Sequence, residues 1–328
     1  MAHSVEIEIG RRKITLETGR LAKQASGSVV VGAGDARVLV CATSADDPRE
    51  GIDFFPLTVD YREYTYAAGR FPGGYIKREG RPSEKEVLTC RMIDRPIRPL
   101  FPAGFRNETQ VIAYVLSADP EFDPSVLAMI GASAALELSH VPMVHTIAAA
   151  AVTHKREGEW LLDAGYDESK DADWRITVAA AEAGIVMVEA EGREVPEAIV
   201  LESIDRGHEA CKKIIAGIRE LAKKAGKPKI KVEPPLFNDA LLDEVVKKWG
   251  AALEEALDTR KHPKLESYAK VKALKKEIKA AYADDESKAA DLKPILESLQ
   301  ERIFRRWVLE EGRRPDGRGW DEDRKSVV

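Results

Sequence analysis

Residues 67–84 read Ala-Ala-Gly-Arg-Phe-Pro-Gly-Gly-Tyr-Ile-Lys-Arg-Glu-Gly-Arg-Pro-Ser-Glu, and residues 95–102 read Arg-Pro-Ile-Arg-Pro-Leu-Phe-Pro. From Arg70 to Arg98 the chain carries eight basic residues and four acidic ones, although the whole protein has a net charge of −5. Positive charge is thus concentrated in one stretch against the general trend. Such a concentration around an aromatic residue is typical of a site for a polyanion.

The glycines and prolines of residues 69–82 predict an irregular loop. Tyr75 and Ile76 lie at its tip, and the cations Lys77 and Arg78 follow them. Sequence-tolerant binding of a single strand requires this combination, because bases stack on the ring while cations neutralise phosphates. Charge pattern alone leaves a second interpretation open, a mobile surface loop beside a salt-bridged helix.

A helix is expected directly after the loop. Ser83 and Glu86 form the spacing of a capping box, in which each side chain binds the other residue's backbone amide. Pro96 predicts that the helix ends near Arg95, since the residue before a proline disfavours helical angles.

The same helix presents arginines on one face. Arg91 and Arg95 are four residues apart, and that face also carries Val87 and Leu88. Arg98 follows in a turn flanked by prolines. Rigid guanidinium groups held by a packed helix are suited to bidentate contacts with phosphate.

Several longer motifs in this region resemble the first RNase PH-type domain of the bacterial polynucleotide phosphorylase family. The resemblance extends through the whole chain. Its motifs are Asp-Phe-Phe-Pro-Leu-Thr-Val (53–59), Tyr-Ala-Ala-Gly-Arg (66–70), Arg-Glu-Gly-Arg-Pro-Ser-Glu (78–84), Arg-Pro-Ile-Arg-Pro-Leu-Phe-Pro (95–102), Ala-Met-Ile-Gly-Ala-Ser-Ala-Ala-Leu (128–136) and Arg-Pro-Asp-Gly-Arg (314–318).

The resemblance implies a fold and an activity. Members of this family are phosphorolytic 3′→5′ exoribonucleases that degrade mRNA, using inorganic phosphate and magnesium to release nucleoside diphosphates from single-stranded RNA. Three subunits form a ring, and proteins of an RNA degradosome are further partners. The family places catalysis in a second RNase PH-like domain, of which this chain resembles only the entry.

The resemblance also implies which residues contact RNA. In the family the two tip positions of the loop are commonly aromatic and are followed by two arginines, and here Ile76 and Lys77 depart from that pattern. Arg91, Arg95 and Arg98 are expected to contact phosphates or to hold the loop. The residues expected to line the channel and contact the strand are Tyr75, Ile76, Lys77, Arg78 and Arg81.

The duplicate of the catalytic site in the first domain is expected to be degenerate. Arg175 stands where the family's catalytic strand has an aspartate, and Asp123 and Ser125 replace a phosphate-binding run of serines. Strand alternation puts Asp173 and Arg175 on one face, which suggests an ion pair. We therefore predict no catalytic residue and no metal site in this chain.

Composition and patterning predict an α+β domain followed by an all-α domain. In the first, residues 4–16 are expected to form a hairpin around Gly10, residues 124–138 a buried helix with close packing at Gly131, and residues 196–225 a long amphipathic helix. A strand at 184–191 is expected to pair with one at 174–180, and Asn238 is the expected cap of the first helix in the second domain.

We expect an RNase PH-like domain with a mixed β-sheet at 1–228, a linker at 229–235, an all-α domain at 236–312 and a truncated start of the second RNase PH-like domain at 313–328. In the all-α domain, whose Lys and Glu residues favour a solvated face, helices are predicted over 238–258, 263–283 and about 291–311, with Pro294 in the first turn of the last. The final residues, 325–328, depart from the family pattern and suggest a truncation.

The chain shows no signal peptide, no apolar run of membrane length and no cysteine spacing for metal or redox chemistry, so a cytoplasmic protein without a membrane partner is expected. Two other functions stay open. One is an active stand-alone enzyme like RNase PH, and the other is a scaffold without RNA affinity.

Overall fold

The structure is a computed structural model that describes residues 2–52, 54–233 and 237–323. The chain divides into two compact units, Met1–Pro234 and Pro235–Val328. The end of the predicted linker and the predicted truncation at 325–328 lie outside the described residues. An α+β unit is followed by an all-α unit, as the sequence predicts, while the exact domain boundaries stay a prediction.

The first unit contains a six-stranded mixed sheet in the order β1-β2-β3-β4-β6-β5. Its predicted opening hairpin is confirmed, since β1 and β2 pair antiparallel around the turn at Gly10 and Arg11. Only β5 and β6 pair in parallel, and helix α1 (Glu84–Ile97) forms the crossover that a parallel pair requires. The strands are β1 (His3–Ile9), β2 (Arg12–Thr18), β3 (Gly27–Ala33), β4 (Ala36–Ser44), β5 (Leu57–Arg62) and β6 (Thr109–Ser117).

A second, antiparallel sheet has the order β10-β9-β7-β8. The predicted pairing of β10 with β9 is confirmed. The short strand β8 and the four-residue helix α3 (Tyr166–Ser169) were not predicted. The strands are β7 (Ile147–Lys155), β8 (Trp160–Leu162), β9 (Ala172–Ala181) and β10 (Gly184–Gly192).

Helix α2 (Pro124–Leu138) lies at the centre of the core, with the predicted bounds. It packs against both sheets through β3, β4, β6 and β7, and every residue except Pro124 and Glu137 is buried. A Cβ at Gly131 would lie 2.4 Å from Val40 Cγ2, so this position requires glycine for the helix to approach the sheet.

Helix α1 begins as predicted and ends later than predicted. Both hydrogen bonds of the capping box between Ser83 and Glu86 are present. The predicted end near Arg95 is wrong, since Pro96 lies inside the helix, which continues to Ile97. Pro96 and Ile97 are buried, and this burial offsets the backbone hydrogen bond that proline cannot donate.

Helix α4 (Glu197–Ala225) has the predicted extent and packs on β7, β9 and β1. The chain after it stays attached to the first unit. Lys229 Nζ donates to the carbonyl oxygens of Leu136, Glu137 and Ser139 at 2.8, 2.8 and 3.0 Å. The lysine thereby supplies donors that the last carbonyls of α2 lack.

The second unit contains α5 (Asp239–Leu257), α6 (Lys264–Ala281) and α7 (Glu286–Leu309) around their own apolar core. The predicted cap at Asn238 is confirmed by its bond from the Leu241 amide. The predicted start of the third helix near 291 is wrong. Asp285 caps α7, and Pro294 lies inside the helix instead of in its first turn.

Among the described helices, none combines the length and the apolar character that a membrane crossing requires.

Candidate functional site

The tip of the predicted loop faces solvent. Tyr75 is 100% exposed and Ile76 is 86% exposed. Gly73 has a φ of +131°, which favours glycine, and a Cβ there would lie 2.6 Å from Lys77 Cδ. The Lys77 amide donates to the Gly74 carbonyl at 2.9 Å and closes a turn. This turn projects the ring and its apolar neighbour away from the rest of the unit.

The base of the loop is anchored. Glu79 Oε1 accepts hydrogen bonds from the Thr65 amide at 2.9 Å and from Thr65 Oγ1 at 2.6 Å. Arg62 Nη2 donates to the Gly80 carbonyl at 3.1 Å. Sequence analysis missed the role of Glu79, whose only signal is an acidic residue among cations. A fixed base with a free tip suits a loop that contacts a ligand.

The loop's cations are free to meet an anion. In the part of the chain that the structure describes, none of them has a carboxylate partner within salt-bridge distance. Nearby basic residues differ, since Lys85 pairs with Glu63 at 2.8 Å and Arg62 pairs with Glu86 at 3.3 Å. Phe71, which sequence analysis did not select, is 90% exposed on the same loop. The four cations are Arg70, Lys77, Arg78 and Arg81.

The two arginines of α1, Arg91 and Arg95, and Arg98 directly after the helix do not form one group. Arg91 is exposed, with no carboxylate partner among the described residues. Arg95 Nη1 pairs with Glu189 of β10 at 2.7 Å. Arg98 Nη2 pairs with Asp94 at 2.6 Å and donates to the Leu57 carbonyl at 3.0 Å. Arg95 and Arg98 thus contact the sheets and not the loop, and Arg91 keeps its guanidinium available.

Glu86 is a buried carboxylate that joins α1 to the strand before the loop. Its Oε2 accepts from the Ser83 amide at 2.6 Å, and its Oε1 accepts from the Glu63 amide at 2.9 Å. Burial opposes the charge, but these bonds, the Ser83 hydroxyl and the Arg62 guanidinium hold the pKa of Glu86 below its usual range. The ionised carboxylate fixes where α1 begins relative to β5.

At the duplicate of the catalytic site, the two residues that depart from the family pattern contact each other. Arg175 Nη2 donates to Asp123 Oδ2 in an ion pair. Asp123 Oδ1 accepts from the Ser125 amide at 2.9 Å and from Ser125 Oγ at 2.6 Å. The suggested Asp173–Arg175 pair is wrong, because Asp173 pairs with Arg156 at 2.7 Å. The amino end of α2 is therefore occupied by the protein's own carboxylate.

A second buried acid lies beside this pair. Asp163 and Asp123 line one cavity of about 10 Å³ together with Arg12, roughly the room of one water molecule. Asp163 Oδ1 accepts from the Ala151 amide at 2.8 Å, and its Oδ2 has no hydrogen-bond partner among the residues that the structure describes. The pKa of Asp163 is raised to about 6, and burial is the main cause. The Ala151 amide and the nearby guanidinium groups of Arg175 and Arg12 lower this pKa, but they offset the effect of burial only in part.

These residues do not fit a divalent metal. Mg²⁺ takes oxygen ligands, and here the guanidinium of Arg175 already binds the Asp123 carboxylate. Within the described ranges, no group of three or more His, Cys, Asp or Glu side chains is arranged to hold a metal ion.

Comparison with known proteins shows the family of the chain. The family model described as "3' exoribonuclease family, domain 1" matches residues 10–142. The model described as "Polyribonucleotide nucleotidyltransferase, RNA binding domain" matches residues 240–319. Polyribonucleotide nucleotidyltransferases of Solibacter usitatus and Acidobacterium capsulatum are 53% and 52% identical to the chain over its whole length. The chain belongs to the polyribonucleotide nucleotidyltransferase family.

The match covers only part of those relatives. The chain spans 46% of the length of the Solibacter usitatus polyribonucleotide nucleotidyltransferase and 41% of the Acidobacterium capsulatum one. More than half of each of these two relatives therefore lies outside the match.

Two solved structures are similar to this chain in fold. Rrp46 of rice superposes with a TM-score of 0.51 at 18% identity, over 63% of this chain and 92% of Rrp46. The exosome of Archaeoglobus fulgidus, solved with RNA bound to the active site, gives 0.50 at 17% identity, over 68% and 87% of the two chains. At such identities the likeness shows the RNase PH-like fold alone.

Proposed function

We propose that this chain binds and guides single-stranded RNA within a phosphorolytic 3′→5′ exoribonuclease, and that it does not break RNA itself. The observation that carries the proposal is the loop of residues 69–82. It holds four cations that have no carboxylate partner in the described part of the chain, around exposed rings and on a base fixed by Glu79 and Arg62. Phosphates bind to such cations while bases stack on the rings.

The reaction proposed for the whole enzyme is phosphorolysis. An oxygen of inorganic phosphate attacks the phosphorus of the last internucleotide linkage, and the bond from that phosphorus to the 3′ oxygen of the preceding nucleotide breaks. That oxygen takes a proton and becomes the new 3′ hydroxyl, while a nucleoside diphosphate leaves. We place this chemistry in the part of the family's chain that has no match here, because Arg175 and Asp123 neutralise each other at the duplicate site.

Family membership supports the remaining features of the proposal. Magnesium would bind in the unmatched part, and inorganic phosphate would be the co-substrate. Three copies would form a ring around the RNA, degradosome proteins would be further partners, and the enzyme would act on mRNA in the cytoplasm. Of the eight residues predicted to contact RNA, we retain Tyr75, Ile76, Lys77, Arg78, Arg81 and Arg91 as direct contacts, and we add Arg70, the fourth cation of the loop. Arg95 and Arg98 would act by supporting α1.

A charge-neutralised loop tests the proposal. Arg70, Lys77, Arg78 and Arg81 are changed together to Gln, and binding of a labelled oligouridylate of about 20 nucleotides is followed by anisotropy at rising salt. Each lost phosphate contact should reduce the slope of log affinity against log salt by about 0.7, so four contacts contribute about 2.8. Between about 50 and about 200 mM salt, these four contacts account for about a 50-fold loss of affinity. The variant should lack this part of the loss.

The matched control removes four cations at the surface of the same unit that are already paired. Lys13, Arg49, Lys212 and Lys224 pair with Glu6, Glu108, Glu209 and Glu220. Changing them to Gln alters net charge by the same amount and should leave the slope nearly unchanged. Equal slopes for the loop variant and the unmodified chain would overturn the role of the loop, and no measurable affinity in the unmodified chain would favour the scaffold without RNA affinity.

A further inference from the structure

Helix α6 segregates its charges around its axis. At about 100° per residue, Lys264, Tyr268, Lys272, Lys275, Lys276 and Lys279 fall within one stripe about 120° wide. Both acidic residues of the helix, Glu266 and Glu277, lie on the opposite side. We call these six residues the α6 basic stripe. It is about 22 Å long, since a helix rises about 1.5 Å per residue.

The lysines of the stripe have no acidic partners in the part of the second unit that the structure describes. Lys275 Nζ donates to the neutral Gln300 side chain at 3.1 Å, and Lys264 Nζ lies 5.7 Å from the centre of the Tyr268 ring. Three other lysines of the unit are paired, namely Lys248 with Glu244 at 2.7 Å, Lys270 with Glu266 at 3.2 Å, and Lys288 with Glu244 at 3.3 Å. Lys247 and Lys261 have no carboxylate partner among the described residues, but they lie outside α6. In the described part of the second unit, lysines without an acidic partner are thus concentrated on this side of α6, where the sequence favours an ordinary solvated face.

An aromatic ring lies within this charge. Tyr268 is 60% exposed, and the neighbouring Leu265 is 82% exposed. Cations in a row attract a polyanion, and an exposed ring among them offers a stacking surface that an acidic peptide would not use. The family model that covers the whole of α6 is described as an RNA binding domain, and that description does not say which residues contact RNA.

We propose that the α6 basic stripe is a second contact surface for single-stranded RNA, in which lysines bind successive phosphates and Tyr268 stacks on a base. The inference rests on the proposed RNA-binding function and adds a surface to it. It differs from the loop of the first unit in its residues, so the two can be disabled separately.

The first test changes Lys272, Lys276 and Lys279 to Gln in the full chain, which retains helix propensity. With the labelled oligouridylate, the slope of log affinity against log salt should fall by about 2. The unmodified chain should therefore lose about 20-fold more affinity than the variant from about 50 to about 200 mM salt. A control variant with Gln at the paired lysines Lys248, Lys270 and Lys288 has the same net charge and should retain the original slope.

The second test isolates stacking. Tyr268→Ala should weaken binding about 10-fold, the effect of losing one stacked base. Tyr166→Ala is the matched control, since Tyr166 is also exposed and has a lysine, Lys170, 5.0 Å from the centre of its ring. It lies next to Asp167 and Glu168 in the first unit, and its loss should not affect binding.

The outcomes separate this inference from the proposed function. Loss of binding in the loop variant with unchanged binding in both stripe variants would overturn the stripe alone. If neither set of variants changes binding, both proposals are overturned. If the triple variant weakens oligouridylate and polyglutamate equally while Tyr268→Ala changes nothing, the stripe is a general polyanion surface, and the assignment to RNA is wrong.

Discussion

Removal of the Arg175 guanidinium should destabilise the first unit. In Arg175→Met, Asp123 keeps its bonds from Ser125 and loses its only cationic partner in the described part of the chain. Breaking a fully buried ion pair costs about 3–5 kcal/mol, and breaking a surface pair costs less than about 1 kcal/mol. These side chains are 24% and 21% exposed, so we expect the free energy of unfolding to fall by about 2 kcal/mol.

A second change should restore most of that loss. Asp123→Ser removes the buried charge and leaves a hydroxyl, which also caps a helix well. Alone it should destabilise, since Arg175 then lacks a partner. Combined with Arg175→Met it should be nearly neutral, and the double-mutant cycle should give a coupling energy of at least about 2 kcal/mol.

Native-state hydrogen exchange of peptides from β7 and β9 measures these changes in the free energy of unfolding. It reports the first unit alone, which matters because two compact units need not unfold together.

The ion pair of Asp123 and Arg175 also predicts a pH dependence of stability. Burial opposes ionisation of Asp123, but Arg175 and Ser125 hold its pKa below the ordinary value of 3.8. Its stabilisation is present above that pH and is lost as pH falls through the lowered pKa. The difference between the unmodified chain and Arg175→Met should therefore shrink below about pH 4. A coupling energy near zero, or a difference that persists in acid, would refute this reasoning.

Three further variants test other parts of the account. Asp163→Asn should raise the free energy of unfolding by about 2–3 kcal/mol at pH 8 and by little at pH 4, because a buried acid whose pKa is raised to about 6 costs stability as pH rises from about 4 to about 6. Asparagine also tolerates the φ of +50° there, and urea midpoints at the two pH values measure the change. Gly131→Ala should lower the urea midpoint by the equivalent of about 1–2 kcal/mol, since its Cβ would overlap Val40. Lys229→Met should cost about 1.5–3 kcal/mol by leaving the last carbonyls of α2 without their charged donor, and exchange of the α2 amides should speed up accordingly.

Each of these has an outcome that would contradict it. A stability gain for Asp163→Asn that is equal at both pH values would show that its charge is not the cause. Gly131→Ala has a control in Gly250→Ala, where the only near atom is Val246 Cγ1 at 3.6 Å and helix propensity should stabilise. Equal effects of the two glycine changes would refute the packing argument. Unchanged exchange in Lys229→Met would show that the carbonyls find other donors.

Local sequence signals predicted the elements that local physics determines. The capping box at Ser83 and both ends of α2 could be predicted because caps and apolar runs depend on neighbours in sequence. Pro96 and Pro294 misled the prediction because burial and packing outweigh the single hydrogen bond that a proline removes inside a helix.

Pairings between distant residues could not be predicted in the same way. Alternation correctly put Asp173 and Arg175 on one face, but each has a partner elsewhere, Arg156 on the neighbouring strand and Asp123 at the start of α2. The motif resemblance predicted that this site is degenerate, and only the structure shows that its two altered residues bind each other. For the same reason Glu79 and the α6 basic stripe were missed, since both depend on which partners a charge has or lacks.

The central claim is that this chain holds RNA and does not degrade it. The most direct measurement mixes the full chain with single-stranded RNA, magnesium and inorganic phosphate, and follows both RNA retention and nucleoside diphosphate. The account predicts salt-dependent retention of RNA and no nucleoside diphosphate. Nucleoside diphosphate that forms only when phosphate is present would contradict it, since the site at Arg175 and Asp123 would then be active.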